Sequence, residues 1–574
     1  MAALSKALVE LQSTEEEHGG INGSSKSRKL ANSNPLYSPQ TGVYSSKYPS
    51  INMPSDPLLD VVSFIFSHKH NGQHALVDSS SGLSVPYSKL SPLVRSMAAG
   101  LHHLGVKQGD VILILLPNSV CFPLVTLGAM SLGAIVTPMN PLSNLLELKQ
   151  VLDCNPTLAF AAMDKVDELV KALAGCPVVG VPEALDLNSL SSDDSVFHKL
   201  ISSDPAMAPR PRITQQCPAA ILYSSGTTGR SKGVMLTHGN FIAVIELFVR
   251  FEASLYDYPS SENVYLAVVP MFHVYGLSLF GFGLLSLGVT IVTLKRFDAE
   301  EMERAIERYG VTHFHCVPPI LVELTRRARR GGGSSFRRLK QVSCGAAPST
   351  QKSITDMIEA LPHVDFIQGY GMTESTALAT RGYNTVGAHR YTSAGLLSPN
   401  VQAKVVDWAT GAHLPPGSVG ELWLRSPGNM KGYLNNVDAT MAALDKDGWL
   451  HTGDIVYFDQ EGYLYVVDRL KEVIKYKGFQ IAPADLESVL MSHPEILDAA
   501  VTGGRDEEAG EIPVAFVVPR GGSFLSEAAV MNYVAKQVAP YKKVRKVYFR
   551  SSIPRSPAGK ILRRELKNLI VSKL

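Results

Sequence analysis

The 574-residue sequence predicts an α/β protein: a large multi-subdomain body of parallel β-sheets covered by helices, a β-rich subdomain, and a small mobile α+β C-terminal lid. Three observations predict it. From about residue 56, short apolar runs alternate with helical patterns: "VILILLP" at 111–117, helical "CFPLVTLGAMSLG", then "AIVTPMNP". The rhythm returns at "VVGVPEA", "AAILYSSG", "VTIVTLKRF" and "VTHFHCVPPI", which implies parallel strands with helices on both faces. After residue 400 the texture becomes short strands and turn residues, as in "QAKVVDWATGAHLPPGSVGELWLRS". Beyond Asp468, about a hundred residues are enough for a core of their own. They carry the apolar set Leu486, Val489, Leu490 after Pro483, a second set Val530, Tyr533, Val534, Val538, and the strand "PVAFVVP".

The expected organisation is a mobile tail over 1–55, a body over 56–468, a lid over 469–571 and a terminal signal at 572–574. The tail is rich in Ser, Asn, Gly and charge and has no apolar core of a secretory leader. Hydrophobic residues make up 45% and charged residues 18%, with net charge +2, so no standing attraction to nucleic acid or an anionic membrane is implied. Six cysteines without paired spacing indicate neither a disulfide framework nor a zinc site, which fits a reducing compartment. The apolar run 276–294 is long enough for a membrane span, but Gly288 divides it into a helix-like half and β-branched "VTIVTL". A buried helix turning into a buried strand is expected, and no transmembrane segment. The chain ends in Ser572, Lys573 and Leu574, an address read by the peroxisomal import receptor.

The first chemical signal is "YSSGTTGRSKGV" at 223–234, between the strand-like "PAAILY" and the helix-like "HGNFIAVIELF". Glycines allow close backbone approach, hydroxyls and successive N–H groups make an anion cradle, and Lys232 adds a positive charge. Ser231 stands where a P-loop needs glycine before the lysine, so the loop is not a Walker A motif. A Gly/Ser linker is the alternative, although such a linker seldom sits inside one strand–helix unit. The loop is expected to hold a polyphosphate supplied by a nucleotide.

In "QGYGMTES" at 368–375, Gly369 and Gly371 permit a tight turn that presents Thr373 and Glu374. A carboxylate beside phosphates recruits Mg²⁺; a capped loop–helix junction explains the same residues. Asp454, in a Thr-Gly-Asp turn, can accept two hydroxyls of a diol. Arg469, Lys471, Lys475 and Lys477 share odd positions, hence one face of an extended chain, either solvated or meeting a polyanion. In "PRSPAGKILRREL" a rigid turn presents Lys560 before a terminal helix, although a lone lysine there is more often a surface charge near the C-terminus. His313 and His315 lie on one strand face but have no third ligand nearby, so they are expected as core histidines.

Taken in order, "SSGTTGRSKG", "PMFHVYG", "QGYGMTE", "TGD", "DRLKEVIKYKG" and "PAGKILRREL" resemble the ANL adenylating enzymes over about residues 56–574, and within them the plant 4-coumarate:CoA ligase-like acyl-CoA synthetases. That resemblance implies ATP, Mg²⁺ and coenzyme A as partners of a carboxylic acid, and a ligase forming an acyl-adenylate and then a thioester. It places the ATP phosphates on Ser224, Ser225, Gly226, Thr227, Thr228 and Lys232, with Thr373 and Glu374 near the metal. Gln368, Gly369 and Lys471 are carried over to the nucleotide site, Asp454 and Arg469 to the ribose. Lys560 would bridge carboxylate and α-phosphate. Lys471 falls at the hinge. After lid rotation Lys475, Lys477 and Gly478 would face CoA, with Arg296 a further phosphate contact. His273 would gate an acyl pocket lined by Tyr275, Gly345, Ala346, Gly369 and Met372.

One segment departs from the family. True 4-coumarate ligases read "GEICIRG" where this chain has "GELWLRS", at 420–426. With the peroxisomal address, that shifts the expected acid from 4-coumarate towards fatty acids, jasmonate precursors or cinnamate side chains, in phenylpropanoid or fatty acid metabolism. Rival expectations are a luciferase-like oxygenase and a noncatalytic acyl-AMP-binding protein. A peptide-synthetase domain would continue into a carrier module, whereas this sequence ends fourteen residues after Lys560.

Overall fold

The computed structural model describes residues 36–571, except 144–147, 149–151, 174, 184, 186–194, 225–231, 257, 332, 383–389, 478, 507–508 and 557–558. The described residues form four sheets. Three lie in a large N-terminal body, with seven, nine and six strands; the five-stranded fourth uses only strands from Ile474 onward.

In the seven-stranded sheet, Val111–Leu115 is buried along its whole length, with Ile135–Pro138 and Pro156–Ala162 parallel on either side. A central strand covered on both faces needs no polar alternation, hence the unbroken apolar run. The following helix, Cys121–Ser131, is apolar all round and lies in the interior. The nine-stranded sheet has a parallel centre in the spatial order Asp365–Tyr370, Gln341–Cys344, His313–Cys316, Val264–Ala267, Thr290–Thr293, His74–Asp78. Carboxyl ends of parallel strands gather loops on one edge, the usual ligand side of an open α/β sheet. The run 276–294 divides as expected: helical turns to Leu287, a left-handed Gly288 (φ 75°), then the strand Thr290–Thr293. No helix of the described residues is long and apolar enough to cross a membrane.

Several expectations need correction. Residues 36–55 do not belong to a tail: Tyr37–Ser38 and Val43–Ser45 form a hairpin that adds to Gln402–Val406 in the six-stranded sheet. Tyr44 stacks on Phe458 at 4.5 Å, and the Asn400 side chain bonds both backbone groups of Ile51. Polar composition averaged over fifty residues concealed a few well-spaced tyrosines. Residues 232–237 are a strand, Lys232–Thr237, antiparallel to Pro218–Ser224, so the element after residues 225–231, which lie outside the described residues, is a strand and not a helix. The helix begins only at His238, after a Thr237–Asn240 capping box. The odd-numbered cations do not share one extended face either. The strand Leu464–Arg469 ends in a turn, Ile474–Tyr476 starts a new sheet, and Lys477 is left-handed (φ 46°).

The lid has its own core around Ile474, Leu486, Leu490, Val501, Val530 and Val534. Helix Pro483–Met491 carries proline in its first turn, and Arg563–Val571 packs Leu566 and Ile570 on Val514 and Phe516. Val538 falls beyond its expected helix, which is Glu527–Ala535. The Asp468 carboxylate, at the end of the last body sheet, accepts from the N–H groups of Arg469 (2.7 Å) and Ala484 (2.9 Å), so it caps the first lid helix.

Candidate active site

Ser224 and Lys232 are cross-strand partners, which pins both ends of the glycine-rich loop. Ser225, Gly226, Thr227 and Thr228 lie outside the described residues. The Lys232 ammonium sits 4.7 Å over the Tyr433 ring, and the Tyr433 hydroxyl donates to a Glu374 carboxylate oxygen (3.0 Å). Strand Gly432–Tyr433 flanks Lys232–Thr237, so this tyrosine joins two motifs about 140 residues apart in sequence. Sequence reading missed Tyr433, which has no motif of its own. Burial, and then the Glu374 charge, raise its phenol pKa and keep it a donor. Glu374 is 8% exposed on the single turn Thr373–Ser375. Thr376 and Ala377 follow it at φ 54° and 62°, a costly conformation for non-glycine residues that marks a specified turn. The Glu374 carbonyl accepts from Met430 N–H (2.8 Å), which ties that turn to the β-rich subdomain.

Asp454 faces Arg469 across the strands Leu450–Phe458 and Leu464–Arg469. Its Oδ1 lies 3.2 Å from Arg469 Nε, and its Oδ2 accepts the Tyr370 hydroxyl at 2.6 Å. The turn before it is held from "GELWLRS", whose strand Gly420–Arg425 pairs with Leu450–Phe458. Glu421 Oε1 accepts from Gly453 N–H (3.0 Å), and Trp423 Nε1 donates to Glu421 Oε2 (3.1 Å). Through these bonds the "GELWLRS" segment buttresses the Asp454 turn.

Lys560 belongs to a tight turn that closes on itself. Ser556 N–H donates to the Lys560 carbonyl (2.8 Å) and Gly559 N–H to the Ser556 carbonyl (2.8 Å). Gly559 is left-handed (φ 77°), and a Cβ there would stand 3.2 Å from Pro319 Cδ and 3.5 Å from Val317 Cβ. The lid turn thus seats against the start of body helix Pro318–Arg330. Burial and then the Arg469 charge pull the Lys560 pKa down to about 8, against the opposing pull of Glu472 and Asp454. Arg469 in turn feels Asp454, Glu472 and Glu374. Contacts through Tyr433 link Lys232 to Glu374, Asp454 pairs with Arg469, and Lys560 lies within the electrostatic reach of that pair.

The other lid cations are not. Lys471, Lys475 and Lys477 are exposed and have no ion pair among the described residues, and Gly478 lies outside them. Arg296 is exposed just past the strand Thr290–Thr293.

On the other side of Gly369, its carbonyl oxygen and the Tyr275 ring approach a Cβ built on Gly345 to 3.7 and 3.8 Å. Ala346 has φ 67°, Met372 is half-buried, and the Gln368 amide donates to the Tyr391 carbonyl (2.7 Å). His273 caps the turn Val274–Gly276; burial lowers its pKa to about 4, so it is a neutral imidazole. Its Nε2 is buried with no partner among the described residues. His315 is buried, as a core histidine would be, and shares a 2.9 Å hydrogen bond with the Tyr275 hydroxyl. No metal-binding group of three His, Cys, Asp or Glu occurs among the described residues.

The AMP-binding enzyme family matches residues 66–434, and the AMP-binding enzyme C-terminal domain matches 485–560. Arabidopsis thaliana 4-coumarate–CoA ligase-like 6 is 57% identical over 540 residues, covering 94% of this chain and 95% of the relative. The peroxisomal OPC-8:0-CoA ligase 1 of Arabidopsis thaliana is 43% identical, covering 92% and 96%. ATP-bound MatB from Rhodopseudomonas palustris superposes with a TM-score of 0.80 at 25% identity, covering 89% of this chain and 98% of that one. The chain belongs to the AMP-binding enzyme family, within its plant 4-coumarate–CoA ligase-like group of AMP-forming acid–thiol ligases.

Proposed function

We propose that the protein activates a hydroxycinnamate-like, fatty or jasmonate-precursor acid with ATP and passes the acyl group to coenzyme A. The carboxylate attacks the α-phosphorus, pyrophosphate leaves, and the CoA thiol then displaces AMP from the acyl-adenylate. The hairpin ending in Ser224 and Lys232 holds the phosphates, with Thr228 on its loop. Asp454, fixed by Arg469, Tyr370 and Glu421, takes the ribose hydroxyls. Glu374 offers one carboxylate with an oxygen not engaged by Tyr433, which fits Mg²⁺, an ion usually held by one or two carboxylates, phosphates and water. Bound there, Mg²⁺ would neutralise phosphate charge.

Lys560 stabilises the charge that develops between carboxylate and α-phosphate. A fixed cation in a water-poor site pays no reorganisation cost at the moment of reaction. The observation that carries this reading is the Gly559 turn seated on Val317 and Pro319, which holds Lys560 in the field of Asp454 and Arg469. For thioester formation the lid turns about Lys471, withdraws Lys560, and brings Lys475, Lys477 and Gly478 to the CoA side, with Arg296 nearby. His273 closes the acyl site. Residues 572–574 direct the protein to the peroxisome, and their deletion should leave catalysis intact while a fusion stays in the cytosol.

The test is pyrophosphate release across a panel of acids with ATP, followed by CoA. Acid-dependent release and a thioester product are expected. Oxygen uptake or light in place of thioester supports the luciferase-like alternative. Acyl-adenylate binding without any release supports the noncatalytic one.

A further inference from the structure

The Lys560 ammonium has no hydrogen bond or ion pair of its own among the described residues, so its place is set through its backbone. On the body side Gly559 meets Val317 and Pro319. Within the lid, Arg555 and Ile561 form one antiparallel bridge and Leu562 N–H donates to the Pro554 carbonyl (2.9 Å), which ties the two ends of the turn. The peptide between Gly559 and Lys560 is gripped at both its polar atoms. Its N–H donates to Ser556 Oγ at 3.2 Å, and its carbonyl accepts from Arg555 Nη1 at 3.0 Å. A peptide is planar, so fixing both atoms fixes the direction in which the Lys560 side chain leaves the backbone.

Arg555 is anchored in turn. Its Nη2 lies 2.7 Å from Asp498 Oδ1 and its Nε 3.4 Å from Oδ2. Asp498 follows an irregularity in the pairing of the strand Ile496–Asp506 with Gly510–Pro519, where the ladder skips Leu497. Such bulges re-aim a side chain. The Asp498 Oδ1 also accepts from Ala499 N–H (2.9 Å). The two side chains are 27% and 29% exposed, where an ion pair by itself adds little to folding. A guanidinium that spans a carboxylate and a carbonyl orients what it holds, because its donors form a fixed fork.

We propose that Arg555, anchored on Asp498, is a positioning residue for acyl-adenylate formation: its guanidinium holds the Gly559 carbonyl and so fixes where the Lys560 ammonium stands. The proposal rests on the ligase reading above. A preorganised charge acts only if it is in place before the transition state, and a misplacement of about 1 Å costs up to about 10²-fold. These bonds lie wholly within the lid and travel with it. In the pose for thioester formation Lys560 is withdrawn, so loosening its turn there costs nothing.

The experiment compares the full wild-type chain with Arg555→Met, Arg555→Lys and Asp498→Ala. For Arg555→Met, kcat for acid-dependent ATP–pyrophosphate exchange should fall about 10- to 100-fold, with KM for ATP within about threefold. Transfer from supplied acyl-adenylate to CoA should stay within about threefold in the same preparation. Arg555→Lys cannot reach both partners and should remain at least about fivefold below wild type in exchange; it carries the test where Arg555→Met does not fold. Asp498→Ala should lose about three- to tenfold. The pH profile separates position from charge. Burial and Arg469 lower the Lys560 pKa to about 8, with Arg563 adding to them and Glu472 and Asp454 opposing. By charge alone, losing Arg555 would raise that value and losing Asp498 would lower it. A released turn takes the ammonium from its buried place, so the alkaline limb of exchange should move up in both variants. Limbs that move in opposite directions, equal losses in the two half-reactions, or undiminished exchange overturn the proposal and leave the ligase reading intact. No exchange by wild type with any acid overturns the ligase reading and this proposal together.

Discussion

Replacing Gly559 by alanine separates two costs that the structure locates in different places. The first is conformational: φ 77° is a left-handed position, and an L-residue there loses about 1–2 kcal/mol. That strain belongs to the turn itself, closed by its bonds between Ser556, Gly559 and Lys560, so it travels with the lid in every pose. The second arises only when the lid is seated. The new Cβ would meet Pro319 Cδ at 3.2 Å and Val317 Cβ at 3.5 Å, and the Pro319 ring at a helix start has little freedom to retreat. A displacement of a few tenths of an ångström there costs about 1 kcal/mol, which is roughly a fivefold loss of the seated population. The assay compares ATP–pyrophosphate exchange with CoA transfer from presynthesised acyl-adenylate. Exchange should fall about fivefold for Gly559→Ala and by more than tenfold for Gly559→Val. Transfer should change less than twofold, while the melting temperature of both variants drops. Equal losses in the two half-reactions would show that seating has no special part in adenylation.

Three other expectations rest on named groups. With its pKa lowered to about 8, Lys560 loses its charge in mildly alkaline solution, so kcat/KM for pyrophosphate exchange should fall tenfold per pH unit above about 8. Lys560→Arg should remove that limb, and a limb that persists would assign it to another group. Burial raises the Asp468 pKa from 3.8 to about 7, so between those values the folded chain holds a proton the unfolded chain has released. Stability should therefore decline as pH rises from about 4 to 7, and Asp468→Asn should flatten this part of the melting-temperature profile. An unchanged slope in the variant would contradict the assignment. Finally, Lys471 N–H donates no hydrogen bond among the described residues, so Lys471→Pro costs none in this pose while fixing φ. Exchange near wild type with thioester formation reduced by orders of magnitude is the expected pair. Retention of both would show that the lid does not turn at this residue.

What the sequence made legible follows from where its signals reside. Lys232, Glu374, Asp454 and Lys560 sit in short runs that contain glycine and hydroxyl residues, where local composition reports a special backbone, whereas Arg469 ends an ordinary strand. The buried strands were legible because an unbroken apolar run of five residues leaves few other folds. Tyr433, Tyr370 and Glu421 were not, since each acts through a partner brought alongside by strand pairing. His315 is buried, as a core histidine would be, but its register beside Ser343 and its bond to the Tyr275 hydroxyl come from strand pairing that the sequence does not display. The tail assignment failed at Tyr37 and Tyr44 for the opposite reason: two residues anchored a segment whose average was polar.

We propose that Lys560 acts in adenylation from a seated lid and withdraws before CoA transfer. Its most direct test is Lys560→Ala assayed in both half-reactions with an acid that wild type activates. A loss of about 10²- to 10³-fold in acid-dependent pyrophosphate exchange is expected, the usual worth of a positioned charge. Thioester formation from supplied acyl-adenylate and CoA should stay within about threefold of wild type. Comparable losses in both, or undiminished exchange, would contradict it.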